Sequence, residues 1–246
     1  MIRTLLLVVV AILGVSSSSF AWGMLFSHPS LSGWALMPVA NPVLAGEIAL
    51  NASGPDWARE TGGCSKAPCG ADAYGHRISE YLLDKVGHRE LSRYGKLGAE
   101  LGAWQFAEQA RSAYRAGNGD WKKYLGWATH YLADALCPPH CCSSPCDTWT
   151  TGSPEREALF EGFFEVSNSG ALSSFMSSIQ VMLPGTTVTF YTGPGIRDWV
   201  ANTARRVAGL PLQSRTIPPY LSASNLTKVF QWIGAGIRGL YVYVTG

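Results

Sequence analysis

The stretch "WATHYLADALCPPH", Trp127–His140, sets His130, Asp134 and His140 within eleven residues. The whole chain of 246 residues holds only five histidines. On a helix, residues four apart stack on one face, one turn from each other. His130 and Asp134 have that spacing, so a helix would hold both side chains toward one point. Pro138 and Pro139 end such a helix near Leu136, and His140 then falls where the chain can turn back. The bland alternative is a surface hydrogen bond between a histidine and an aspartate. The sharper one is a metal grip, because a buried carboxylate needs a partner and Trp127 and Leu132 suggest a partly buried face.

Outward from this stretch the text reads as helix after helix. "RYGKLGAELGAWQFAEQARSAYRAG" has apolar residues at steps of three and four. "NGD" at Asn118–Asp120 stops it and starts "WKKYLGWATHYLADAL". "AYGHRISEYLLDKVGHREL" opens a helical region. "SPEREALFEGFFEVSNS" begins with Ser153 as a cap and Pro154 in the first turn. "SSFMSSIQVML", "IRDWVANTARRVAG" and "NLTKVFQWIGAGIRGLYVYV" also read as helices. The text from Glu47 to Gly63 is polar and broken. "PGTTVTFYTGPG" is the one β-like piece, a hairpin or a loop. Arg238 sits inside the last apolar run and argues for a core helix over a membrane span. No repeat or linker divides the chain, so the expectation is one all-α domain over 22–246.

Residues 1–21 read as a secretory signal. Arg3 supplies the charge, "TLLLVVVAILGV" the apolar run and "SSSSFA" the cleavage site, so the mature chain would begin at Trp22. An uncleaved anchor is the alternative, but the run is short of the roughly 20 residues a span needs. The expected location is secreted or extracytoplasmic. Export accounts for six cysteines as disulfides. Cys64–Cys69 is the favoured bridge, and Cys137, Cys141, Cys142 and Cys146 form a cluster that could instead hold zinc by thiolates. The formal charge is +2, or +1 once Arg3 leaves. Such a balance lacks the clustered Lys and Arg of a nucleic-acid binder. Lys122–Lys123 and Arg205–Arg206 read as solvated faces, and so does His88.

"HYLADALCPPH" resembles the H-Y-L-G-D-x-x-Q-P-x-H signature of the zinc-dependent phospholipases C and the related fungal single-strand-specific nucleases. His130, Tyr131, Leu132, Asp134, a proline of the Pro138–Pro139 pair and His140 match. Ala133 replaces the glycine and Cys137 the glutamine, which could set a disulfide beside the site. The family's mature enzymes begin with a tryptophan whose amine and carbonyl bind zinc, and Trp22 in "AWG" resembles it. His28 in "SHPSL" fits the histidine that opens the family's first helix. Asp56 and His76 resemble the ligands on either side of its middle loop. The H-x-x-x-E of its next helix is met by Glu157 and Glu161, with Glu157 in the histidine's place.

The resemblance implies an exported hydrolase of phosphodiesters with two or three zinc ions. His76, His130, Asp56 and Asp134 would hold one ion. Trp22, His28 and Asp134 would hold a second, with Asp134 bridging. His140 and Glu161, with Glu157, would hold a third. Asp56 would also orient or deprotonate the attacking water. A neutral amine, imidazoles and carboxylates suit zinc on chemical grounds alone. A phospholipid head group at a membrane surface is the first substrate choice and single-stranded nucleic acid the second. Trp57 and Tyr74 could line a head-group or base-stacking site, or pack in the core. A cell-surface binding protein with damaged metal sites is the non-enzymatic alternative.

Overall fold

The computed structural model describes residues 27–56, 73–82, 97–141, 177, 180–181, 183, 185–211 and 221–246. The expected signal segment, Trp22, Trp57, His88, Glu157, Glu161 and the cysteines at 64, 69, 142 and 146 lie outside them. So does the helix expected from Ser153. The described residues form an all-α fold with no β-strand among them. The helices are α1 (Ser27–Leu36), α2 (Pro42–Asn51), α3 (Ser79–Leu82), α4 (Ala99–Arg115), α5 (Trp121–Ala135), α6 (Gly193–Ala208) and α7 (Ala223–Thr245), with a 3-10 turn at Pro138–His140.

The centre is α5. Every residue from Leu125 to Ala135 is buried, so α5 is enclosed on all sides over its second half. Its main partner is α4, which turns Ala99, Gly102, Ala103, Phe106, Ala107, Ala110 and Ala113 inward. These recur every three or four residues, and their small size lets the two helices approach. Phe106 stacks on Tyr131 at 5.7 Å and meets Trp127 edge-on at 5.1 Å. α4 ends where Gly117 adopts φ +67°, a conformation glycine reaches without strain.

The reading of 47–63 as broken text is corrected at its start, because α2 continues through Asn51. Asn41 caps α2 by accepting from Leu44 N at 2.9 Å, and Pro42 takes the first turn, where its missing N–H costs nothing. Ala45, Ile48 and Ala49 face inward. α2 docks on α5 where Gly126 leaves room: a Cβ there would lie 2.7 Å from Ile48 O.

The β-like stretch is neither hairpin nor strand. Residues 186–190 lie as an extended strap along α7, with Val188 N donating to Ala235 O at 3.2 Å. Gly239 permits this approach, since a Cβ on it would sit 2.6 Å from Val188 O, and Gly234 does the same just before the strap, where a Cβ would lie 2.3 Å from Leu183 O. Arg238, only 1% exposed, donates to Leu183 O and Thr186 O and so satisfies one carbonyl before the strap and one at its start. The arginine that argued against a membrane span is thus a core staple. α7 has 23 residues, eight consecutive buried ones from Ile233 to Leu240, and packs on α1, α4 and α5. Among the described residues no helix is long and apolar enough to cross a membrane.

The disulfide expectation is not met among the described residues. Cys137 and Cys141 are buried and not joined to each other. The backbone bond from Cys141 N to Cys137 O, 3.1 Å, sets them on one helical turn, and Cys141 Sγ is directed at Ala135 O, 2.9 Å away.

Candidate metal centre

Five segments deliver their polar side chains to one point inside the bundle. α1 supplies His28 from its first turn. The helical turn at 54–56, just after α2, supplies Asp56, and the irregular segment before α3 supplies His76. α5 supplies His130 and Asp134, and the 3-10 turn supplies His140. None of the six is more than 1% exposed. The two prolines end α5 as expected, but they do so by starting the turn that carries His140 back to the site. His140 Nδ1 donates to the backbone oxygen of Asp134 at 3.2 Å. His130 Nδ1 likewise donates to Ala52 O at 2.8 Å. That bond leaves Nε2 as the lone-pair nitrogen of His130 and aims it inward.

The Asp134 carboxylate is divided between two sides. Oδ1 faces His28 Nε2 at 3.2 Å and His140 Nδ1 at 4.0 Å. Oδ2 faces His130 Nε2 at 3.1 Å and is in contact with His76 Nδ1. Asp56 is divided in the same sense. Its Oδ1 lies 3.9 Å from both His76 Nδ1 and His130 Nε2, and its Oδ2 lies 3.9 Å from His28 Nε2. The His28 and His130 rings overlap at 4.0 Å between centroids, tilted by 32°.

Several of these atoms converge without hydrogen-bonding. Both nitrogens of His28, both oxygens of Asp56, His130 Nε2 and Asp134 Oδ1 are buried with no hydrogen-bond partner. Buried polar atoms left so cost roughly 1–3 kcal/mol each, unless a cation collects them. Two donor triads are each compact enough for an ion, and both draw on His130 Nε2, whose single lone pair serves one ion at a time. The donors of His28, Asp56 and His130 lie within 4.8 Å of one another, and so do those of His76, His130 and Asp134. Zinc bonds of about 2.0–2.2 Å in a tetrahedron put neighbouring donors roughly 3.4 Å apart. The observed separations of 3.1–3.9 Å bracket that figure, and the imidazole–carboxylate set suits zinc. The residues therefore fit a metal. The triads place His28 with Asp56 and His130, a grouping that the resemblance did not give.

Burial opposes charge here, and the neighbours decide the outcome. Burial would raise the Asp134 carboxyl, but His130, His28 and His76 override it and hold Asp134 well below the usual carboxylate range. Burial would lower His28, yet Asp134 and Asp56 raise it above the usual 6.5. Burial, with His28 beside it, lowers His130. The protons competing with a metal are therefore those of the histidines, and His28 holds its proton to higher pH than His130 does. Zinc affinity is expected to fall on acidification, beginning on the alkaline side of 6.5, by about tenfold per pH unit for each proton displaced. Calorimetric zinc titrations from about pH 8 to about pH 5.5 check this; a flat profile would remove His28 from the ligand set.

Of the expected substrate-contacting residues, Tyr74 lies at the edge of the core. Its ring is half-buried, edge-on to Phe106 and Tyr131, and its carbonyl accepts from Tyr131 OH at 3.3 Å. The sequence did not point to the Ala52 carbonyl, which bonds His130 from behind, or to the buried pair of hydroxyls on Ser32 and Thr129.

The fold is similar to that of alpha toxin from Clostridium absonum, with a TM-score of 0.54 and 13% identity over 94% of this chain and 65% of the toxin. Alpha toxin of Clostridium perfringens, avian strain SWCP, overlaps 93% of this chain and 65% of its own at 15% identity and a TM-score of 0.45. The chain thus spans about 65% of the length of either toxin. No family profile matches the chain, and no curated protein matches its sequence.

Proposed function

We propose that the chain is an exported, zinc-dependent phosphodiesterase acting on phospholipid head groups. The observation that carries this reading is the divided Asp134 carboxylate, which turns one oxygen to His28 and the other to His76 and His130. A single buried carboxylate facing donors on both sides is the arrangement two adjacent cations require. The likeness of the fold to a clostridial alpha toxin and the resemblance around His130–His140 support the same reading.

Bound zinc would polarise phosphate oxygens and acidify a water toward neutrality. The chain's own residues do the rest. Asp134 stays ionised and neutralises the site. Ala52 and the Asp134 carbonyl fix the tautomers of His130 and His140. Asp56, with neither oxygen engaged in a hydrogen bond, would accept a proton from the attacking water. Trp22, Glu157 and Glu161 complete the ligand set by resemblance, and Trp57 and Tyr74 contact the head group. The proposed domain is 22–246, freed of residues 1–21.

The test is metal analysis of the chain beginning at Trp22, followed by assay on phosphatidylcholine vesicles and on single-stranded DNA. Two or three zinc ions with release of phosphocholine are expected. Cleavage of DNA alone would reassign the substrate, and a chain without metal would be a binding protein.

A further inference from the structure

His130 and His140 are each fixed by a hydrogen bond behind the ring, whereas His28 Nδ1 is buried with no such partner. The aim of His28 therefore depends on the position of α1. Besides His28 and Ser32, the buried residues of α1 are Leu31, Ala35 and Leu36. Apolar contacts are non-directional and tolerate small slides and rolls. A metal site tolerates only about 0.5 Å of displacement.

Besides the approach of His28 to Asp134, a side-chain hydrogen bond joins α1 to α5. Ser32 Oγ lies 2.9 Å from Thr129 Oγ1, and Thr129 Oγ1 donates to Gly126 O at 2.7 Å. A hydroxyl has one proton to give. That of Thr129 goes to Gly126, so Ser32 donates to Thr129. Both side chains are shut off from water, at 1% and 0% exposure. Ser32 follows His28 by one turn on the same helix face, and Thr129 immediately precedes His130. The link thus spans the two helices whose histidine rings lie 4.0 Å apart. We infer that the Ser32–Thr129 hydrogen bond is a positioning pin that holds His28 in register with His130 and Asp134 for metal binding. The inference rests on the reading of the cluster as a metal centre.

The test is the double variant Ser32→Ala/Thr129→Val in the chain beginning at Trp22. Removing both hydroxyls at nearly constant shape leaves no orphan and is close to neutral for stability. Cobalt titration of the wild type, the double variant and His28→Ala is followed by visible absorbance, with metal-free melting curves alongside. The double variant is expected to melt like wild type without metal, yet bind the ion lost in His28→Ala about 10–100-fold more weakly. Thr129→Ser, which keeps the hydroxyl, is expected to retain that ion. Unchanged binding in the double variant would overturn the pin and leave the metal reading standing. A metal-free melting loss with all ions weakened alike would reduce the pair to a structural contact and also overturn it. A wild type that binds no cobalt overturns the metal reading and the pin together.

Discussion

Asp134→Asn is expected to empty the centre and abolish hydrolysis while the helices survive. The substitution keeps size and shape but replaces one carboxylate oxygen with an N–H donor. Whichever way the amide turns, one side of the cluster then faces a donor. Turned toward His28, the amide opposes the nitrogen now 3.2 Å from Oδ1; turned the other way, it opposes His130 Nε2 and His76. The negative charge that raises His28 also disappears, and with it much of the attraction for a cation. Metal Lewis acidity contributes several kcal/mol to phosphoryl-transfer barriers. At 1.36 kcal/mol per factor of ten, the loss is about a thousandfold or more in rate. Metal analysis and a head-group release assay read the two effects, and helical circular dichroism confirms the fold. Asp120→Asn is the control, because Asp120 lies at the exposed start of the same helix and should change neither. An Asp134→Asn protein with full metal and full activity contradicts the bridging role.

The part of this centre that was legible in the sequence is the part encoded locally. The four-residue spacing of His130 and Asp134 fixes their common face whatever surrounds the helix. The two prolines announce that the chain leaves α5 before His140. That α5 is enclosed from Leu125 onward is a property of its neighbours, and its own letters carry it only through the run of Leu, Ala and Trp. α2 escaped notice because Gly46 and Glu47 break its apolar pattern, although Asn41–Pro42 carried the start signal. The strap at 186–190 has the Val, Thr and Phe of a strand but pairs with a helix instead. What makes that possible is Gly234, Arg238 and Gly239, some fifty residues later. The Ser32–Thr129 pair joins positions 97 residues apart, and nothing local marks two ordinary hydroxyls as partners. No periodicity could have supplied it.

Removing the metal is expected to lower the melting temperature by about 8–16 °C. Ligand bound only by the folded state adds stability of about 4.1 kcal/mol when present at a thousandfold excess over its dissociation constant. In a chain of this size each kcal/mol moves the midpoint by about 2–4 °C. The structure gives a reason for the dependence at the level of atoms. Without an ion, both nitrogens of His28 and both oxygens of Asp56 sit inside the bundle with no hydrogen bond, on side chains that are 0% exposed. The folded state then carries their desolvation uncompensated. An ion repays it and ties α1, the turn after α2, the segment before α3 and α5 to a single point, so unfolding any one must break the centre. The experiment is a melting curve with a strong chelator and again after zinc is restored in excess. Recovery of the midpoint distinguishes lost metal from damage by the chelator. Asp134→Asn supplies the decisive comparison: its midpoint is expected to ignore chelator and zinc alike, because its centre is already empty. If the wild-type midpoint is also indifferent to both, the four histidines and two aspartates are holding the helices by their own pairing, and no cation contributes to the fold.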